Sequence, residues 1–85
     1  MTREETMRLF VAVYTIDPNV WTDYRLAGDT MEHTVHTAGD EPRAWYPSFS
    51  EALLAYANEL KSEAEETDRK SNESIALITR ALPEK

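Results

Sequence analysis

Residues 9–16 read LFVAVYTI, and the conformation of this stretch decides the fold. Its β-branched and aromatic side chains suit a pleated sheet and crowd the backbone of a helix. Thr2 and Glu5, three residues apart and just upstream, are typical of a capping box and favour a helix instead. We give the β-branched pattern more weight and predict a first strand here, which Asp17-Pro18-Asn19 ends with a turn.

Alternation continues beyond that turn and predicts a hairpin. Residues 20–26 alternate in polarity as a strand with one buried side, and residues 30–37 alternate again. Gly28-Asp29 between them predicts a tight turn. A helix over residues 18–37 is the alternative, since several large side chains recur at three-to-four spacing, but Gly28 and four threonines disfavour it.

The second half of the chain predicts one long helix. In SFSEALLAYANELKSEAEE, residues 48–66, Ser48 and Glu51 form a capping box. Apolar residues then follow at i, i+3, i+4 and i+7, which predicts one buried stripe. Residues 43–46 are predicted to form a short fourth strand, and SIALITRAL, residues 74–82, a last strand.

These elements define an α+β fold. The predicted order is β-β-β-(β)-α-β, a two-layer sandwich with a mostly antiparallel sheet and one long amphipathic helix on one face. Residues 1–85 are expected to form a single domain. The first predicted strand is apolar on both sides, and one helix covers only one of them. A second copy of the chain or another protein is therefore expected to cover the other side.

Charge and composition narrow the partners. The chain has 9 basic and 16 acidic residues and a net charge of −7, which opposes direct binding to nucleic acid or to an anionic membrane. It favours a protein partner with a basic surface, although acidity that only keeps the protein in solution is the competing interpretation. The chain has no cysteine, no apolar run long enough for a membrane span and no signal peptide, so we expect a cytoplasmic protein.

Residues that could carry chemistry are few. Both histidines, His33 and His36, lie in MEHTVHTAGDE, residues 31–41. On a strand, positions i and i+3 point to opposite faces, so the two cannot share one metal ion. The two glycines, Gly28 and Gly39, are too far apart for a phosphate-binding loop, and no nucleophile motif is present. We therefore expect no catalytic residues, no metal and no cofactor.

The remaining candidates are surface residues that could bind a partner. Aromatic side chains surrounded by charge are typical of interface hot spots. This criterion selects Trp21, Trp45 and Tyr46, of which one of the adjacent pair should belong to the core. Acids on the outer face of the long helix and in the loop before it would meet lysines and arginines of the partner. They are Asp40, Glu41, Glu59, Glu63 and Glu66.

The chain resembles two known kinds of protein, and each resemblance implies a function. The β-β-β-α-β order, with SFSEALLAYANEL after the strands, resembles the N-terminal domain of HicB-type antitoxins, which implies a homodimeric regulatory module. A short, acidic, cysteine-free domain is also similar in style to phage-encoded anti-CRISPR and other anti-defence proteins. That resemblance implies a non-enzymatic inhibitor that occludes a basic nucleic-acid-handling surface, by steric block or by mimicry of nucleic acid. We take the inhibitor as the leading hypothesis and the homodimeric module as the alternative.

Overall fold

The structure is a computed structural model that describes residues 1–41, 44–67 and 71–82. The elements within these ranges are α1 (Arg3–Ile16), β1 (Val20–Ala27), β2 (Thr30–Thr37), α2 (Phe49–Thr67) and α3 (Ser71–Ala81). The two strands form an antiparallel hairpin, and the three helices pack on one another beside it. The order is therefore α-β-β-α-α.

The stretch LFVAVYTI is the second half of helix α1, so the predicted first strand is wrong. The capping box is complete: the Thr2 hydroxyl accepts from the Glu5 backbone N–H at 3.1 Å, and the Glu5 carboxylate accepts from the Thr2 N–H at 2.7 Å. The buried side chains fall at helical spacing and include Thr6, Leu9 and Val13. β-Branched residues lose less than about 1 kcal/mol each in a helix, which capping and burial outweigh.

Helix α3 replaces the predicted last strand over residues 74–82, which is also wrong. Ile78 and Ala81 are buried, and Ile75 and Leu82 are half-buried. These positions lie three to four residues apart, so they form one face of a helix. That face joins α1 and α2 in the core, and the alternation of the sequence is a weaker guide than this spacing.

The hairpin and the long helix follow the prediction. Strands β1 and β2 pair in register from Val20 opposite Thr37 to Ala27 opposite Thr30. Gly28 takes a φ of 65° in the turn, a conformation that glycine adopts without strain. The helical alternative for residues 18–37 is therefore wrong. Helix α2 begins at Phe49, with the Ser48 hydroxyl accepting from the Glu51 N–H at 3.2 Å.

The predicted fourth strand is reduced to one bridge. The backbones of His33 and Tyr46 exchange two hydrogen bonds, at 2.7 and 2.8 Å, outside any named strand. Arg43, the first residue of the prediction, lies outside the described residues. One antiparallel bridge is too short to extend the two-stranded sheet, but it fixes the chain beside β2.

The core lies between the helices and one end of the hairpin. Its buried residues are Leu9, Ala12, Val13, Val35, Ala52, Leu53, Ala57, Ile78 and Ala81. In β1, every residue after Val20 is exposed. The prediction that one side of this strand is buried is therefore wrong beyond its first residue. The helices cover only the base of the hairpin, and the rest of the hairpin extends beyond them.

These findings contradict the α+β sandwich of order β-β-β-(β)-α-β. The strand order on which the resemblance to HicB-type antitoxins depended is absent from the described residues. The doubly apolar strand over residues 9–16, through which a dimer was expected to form, is also absent, because that segment is helical.

Candidate functional site

A cleft of about 160 Å³ lies between the end of β2, the loop that follows it and helix α2. Its lining is Thr34, Val35, His36, Thr37, Asp40, Glu41, Ala44, Tyr46, Ala52, Ala55, Tyr56, Glu59 and Glu63. Sites for small-molecule substrates usually enclose ~300 Å³ or more, whereas a cavity of ~150 Å³ holds a benzene-sized group. The cleft therefore suits the end of one side chain better than a whole metabolite.

Four carboxylates surround this cleft. Asp40 and Glu41 come from the loop after β2, and Glu59 and Glu63 come from α2. They are four of the five acids predicted to meet a partner, and they belong to segments about twenty residues apart in the chain. The fold thus concentrates negative charge at one place, which attracts a positively charged group more strongly than the same charges spread over the surface.

The loop acids are placed by a turn at the end of β2. The Asp40 N–H donates to the carbonyl of Thr37 at 3.2 Å, and Gly39 between them takes a φ of 95°. The Ala38 N–H donates to the carbonyl of Asn19 at 2.7 Å, so the turn is fastened to the start of β1. A side chain at position 39 would strain this conformation, since positive φ values favour glycine. The backbone therefore determines where Asp40 points.

Helix α2 supplies the other wall. Ala52, Ala55, Tyr56, Glu59 and Glu63 follow at three-to-four spacing, so they share one helical face. The two alanines have small side chains, which leave space in the cleft, and the two acids follow further along the helix. Glu59 is half-buried and Glu63 is exposed, so the cleft opens to solvent towards the end of α2.

Tyr56 joins the cleft to helix α1. Its hydroxyl donates to Asp17 Oδ2 at 2.6 Å, and Asp17 is the C-terminal cap of α1. Burial, followed by the hydrogen bond and negative charge of Asp17, raises the pKa of the Tyr56 hydroxyl well above its ordinary value. The hydroxyl therefore stays protonated at neutral pH, where it is a hydrogen-bond donor and a poor general base.

The segment Ala44–Tyr46 closes the side of the cleft next to β2. Thr34 is 2% exposed, and its hydroxyl donates to the Ala44 carbonyl at 2.8 Å. The bridge between His33 and Tyr46 holds the same segment two residues further on. A buried threonine without such an acceptor would be costly, so this contact explains why a polar residue occupies the position.

The two histidines lie on opposite faces of the hairpin, as residues three apart on a strand must. His36 lines the cleft, and its Nδ1 lies 2.9 Å from the Thr37 carbonyl. His33 pairs across the hairpin with Tyr24. In the part of the chain that the structure describes, no three metal-binding side chains come together.

The aromatic candidates are dispersed. Trp21 is 56% exposed on the hairpin face opposite to Val20 and Val35. Trp45 stacks on the guanidinium of Arg25, 4.3 Å from its ring centre, while Tyr46 packs against the core and lines the cleft.

Glu66 is exposed on α2 and does not line the cleft. The structure thus brings Tyr46 together with four acids and leaves the two tryptophans and Glu66 elsewhere. Sequence reasoning missed Tyr56 and His36 as cleft residues. Tyr56 lies three residues before Glu59 in α2. This spacing indicates that the two side chains share one face of the helix.

Comparison of the chain with protein-family models, with curated proteins and with solved structures finds no match. Among the described helices, none combines the length and the apolar character needed to cross a membrane.

Proposed function

We propose that this chain is a non-enzymatic inhibitor that binds a basic surface of a protein partner through the acidic cleft. The convergence of Asp40, Glu41, Glu59 and Glu63 on one small cleft carries this proposal. A lysine or arginine head group has the size and the charge that the cleft suits. Additional basic residues of the partner would meet the acids beyond the rim, including Glu66.

Inhibition is expected because the basic surface of the partner would normally bind nucleic acid. Proteins that handle nucleic acid present clustered lysines and arginines to phosphates, and neutralising those residues removes most of the affinity for nucleic acid. A chain with a net charge of −7 would be attracted to the same residues and would exclude the nucleic acid. This mode is that of small acidic anti-defence proteins of phage, such as anti-CRISPR proteins, acting in the cytoplasm of the host cell.

The test uses a fluorescent peptide with arginines spaced by glycine and serine, followed by anisotropy at low salt. We expect binding to the wild type and its loss in Glu59→Lys/Glu63→Lys, because attraction at the cleft becomes repulsion. The matched control is Glu65→Lys/Glu73→Lys, which makes the same change in net charge at two exposed positions outside the cleft.

Two results would contradict the proposal. One is that the peptide does not bind the wild type at any salt concentration. The other is an equal loss of binding in both double variants, which would mean that net charge alone attracts the peptide. Circular dichroism of each variant checks that the charge reversals leave the fold intact.

A further inference from the structure

Two exposed apolar surfaces lie outside the cleft. The first, the α1 stripe, is Met7, Val11 and Tyr14, which are 63%, 62% and 53% exposed. Their i, i+4, i+7 spacing places them on the side of α1 opposite to its buried residues. An ordinary surface helix is polar on this side, so α1 is apolar on two faces.

The second surface, the hairpin patch, is Tyr24, Leu26 and Met31, which are 65%, 75% and 46% exposed. Leu26 pairs with Met31 across the hairpin, and Tyr24 lies two residues before Leu26, so all three share one face. That face also carries Val20 and Val35, which pack against the helices. The hairpin patch is therefore the uncovered continuation of the helix-facing side of the sheet.

The chain has more surface than a monomer of its mass usually has. A globular monomer of 9.8 kDa is expected to expose about 5,200 Å², whereas this chain exposes 6225 Å². Its radius of gyration is 12.9 Å, against about 12 Å for a compact domain of this length. The excess of about 1,000 Å² is slightly more than the ~800 Å² that one partner buries in an interface of standard size.

We propose that a second copy of this chain covers both surfaces, with the α1 stripe of each copy packed on the hairpin patch of the other. A helix stripe is what the uncovered part of the sheet lacks, because the sheet's own helices stop short of it. A two-fold axis makes this contact twice, so the α1 stripe and the hairpin patch are covered in both copies. Pairing of two α1 stripes with each other would leave both hairpin patches exposed.

The area supports the same arrangement. Each of the six side chains exposes roughly 100 Å², so two contacts would bury about 1,200 Å² from these side chains alone. That value reaches the lower end of the range for stable protein interfaces, before any neighbouring residues are included.

The test is the molar mass in solution, measured by sedimentation equilibrium from 1 to 200 μM. We expect the wild type to be a dimer of twice 9.8 kDa in the upper part of this range. Val11→Glu and Leu26→Glu should each weaken the dimer by at least about 100-fold, because each change removes an apolar contact twice per dimer. Thr79→Glu, an exposed position on α3, is the control and should leave the dimer intact.

Mixing the two variants decides which surfaces meet. A heterodimer of Val11→Glu with Leu26→Glu keeps one native contact, between the intact stripe of one copy and the intact patch of the other. We therefore expect partial recovery of dimers in the mixture. A wild type that is monomeric at 200 μM, or substituted chains that remain dimeric, would overturn the dimer. Two monomeric variants whose mixture shows no recovery would overturn the pairing of stripe with patch.

Discussion

The hydrogen bond between Tyr56 and Asp17 links α1 to α2 beside the cleft, and Tyr56→Phe removes it without changing the packing of the ring. The hydroxyl lies 2.6 Å from Asp17 Oδ2. A hydrogen bond to a charged group contributes a net ~1.5–3 kcal/mol. Both residues are half-buried, so water can replace part of the contact. We therefore expect Tyr56→Phe to lower the free energy of unfolding by about 1.5 kcal/mol, the lower end of that range.

Urea denaturation at pH 7, followed by circular dichroism, measures this loss. Thr79→Val is the control, since it removes a hydroxyl at an exposed position on α3 outside both apolar surfaces and should alter stability by less than about 0.5 kcal/mol. Adding Asp17→Asn completes a double-mutant cycle, in which we expect a coupling energy of about 1 kcal/mol. A loss below about 0.3 kcal/mol in Tyr56→Phe, or a coupling of zero, would refute the assigned role of the bond.

The same bond predicts a response to alkaline pH. The pKa of Tyr56 is raised from the ordinary value of 10.0, first by burial and then by the hydrogen bond to Asp17. The unfolded chain therefore loses the proton first as the pH rises. The contribution of the hydroxyl to stability is fully present below pH 10 and declines above it. The difference between wild type and Tyr56→Phe should shrink accordingly, and a difference that grows above pH 10 would contradict the assignment.

Two further predictions concern the core and the start of α1. Leu53 is fully buried on α2, so Leu53→Ala should cost about 3–4 kcal/mol in denaturant melts, and a loss near zero would mean that α2 does not pack as described. The backbone hydrogen bond from Thr2 lowers the pKa of Glu5 below its ordinary 4.5. Its support of α1 is present above that pH and is lost as the pH falls through the lowered value, so wild type and Glu5→Ala should differ in thermal melts at neutral pH and converge in acid.

The predictions that succeeded from sequence used local signals that agreed with one another. In α2, the cap at Ser48 and the apolar stripe both indicate a helix, and no signal opposes them. In the hairpin, alternation and a Gly-Asp turn agree in the same way. Where two local signals coincide, the tertiary structure has little reason to override them.

The predictions that failed were those in which local signals conflicted. Residues 9–16 combine β-branched side chains with an upstream capping box, and a short apolar run does not reveal its own period. Tertiary packing decides the conformation of this segment, because α1 buries Leu9 and Val13 against α2 and α3. Residues 74–82 failed for the same reason, since Ile78 finds its partners on distant helices. Long-range burial of this kind cannot be read from one segment.

The candidate site, too, could be predicted from the sequence only in part. Its acids were identifiable as charged residues of the long helix and of the loop before it. The face was predicted wrongly, because Glu59 and Glu63 lie on the face of α2 that carries Ala52 and Tyr56 and not on its outer face. The meeting of the acids around one cleft was not identifiable, because it depends on a turn at Gly39 that directs Asp40 towards α2, a segment distant in sequence. The α1 stripe was hidden for a different reason: in a strand, its side chains would have been divided between two faces.

The acidic cleft and the apolar surfaces use different residues, and they should act together. A symmetric dimer carries two clefts on one particle, so it can engage two basic groups of one partner at once. The second contact then forms within the complex, at a high effective concentration, and strengthens capture without any new interaction. Salt separates the two parts, because screening weakens attraction between exposed charges while apolar burial persists. A monomeric variant such as Val11→Glu should therefore still bind one arginine-containing peptide. Its affinity for a surface that presents two basic groups should be much lower than that of the wild type.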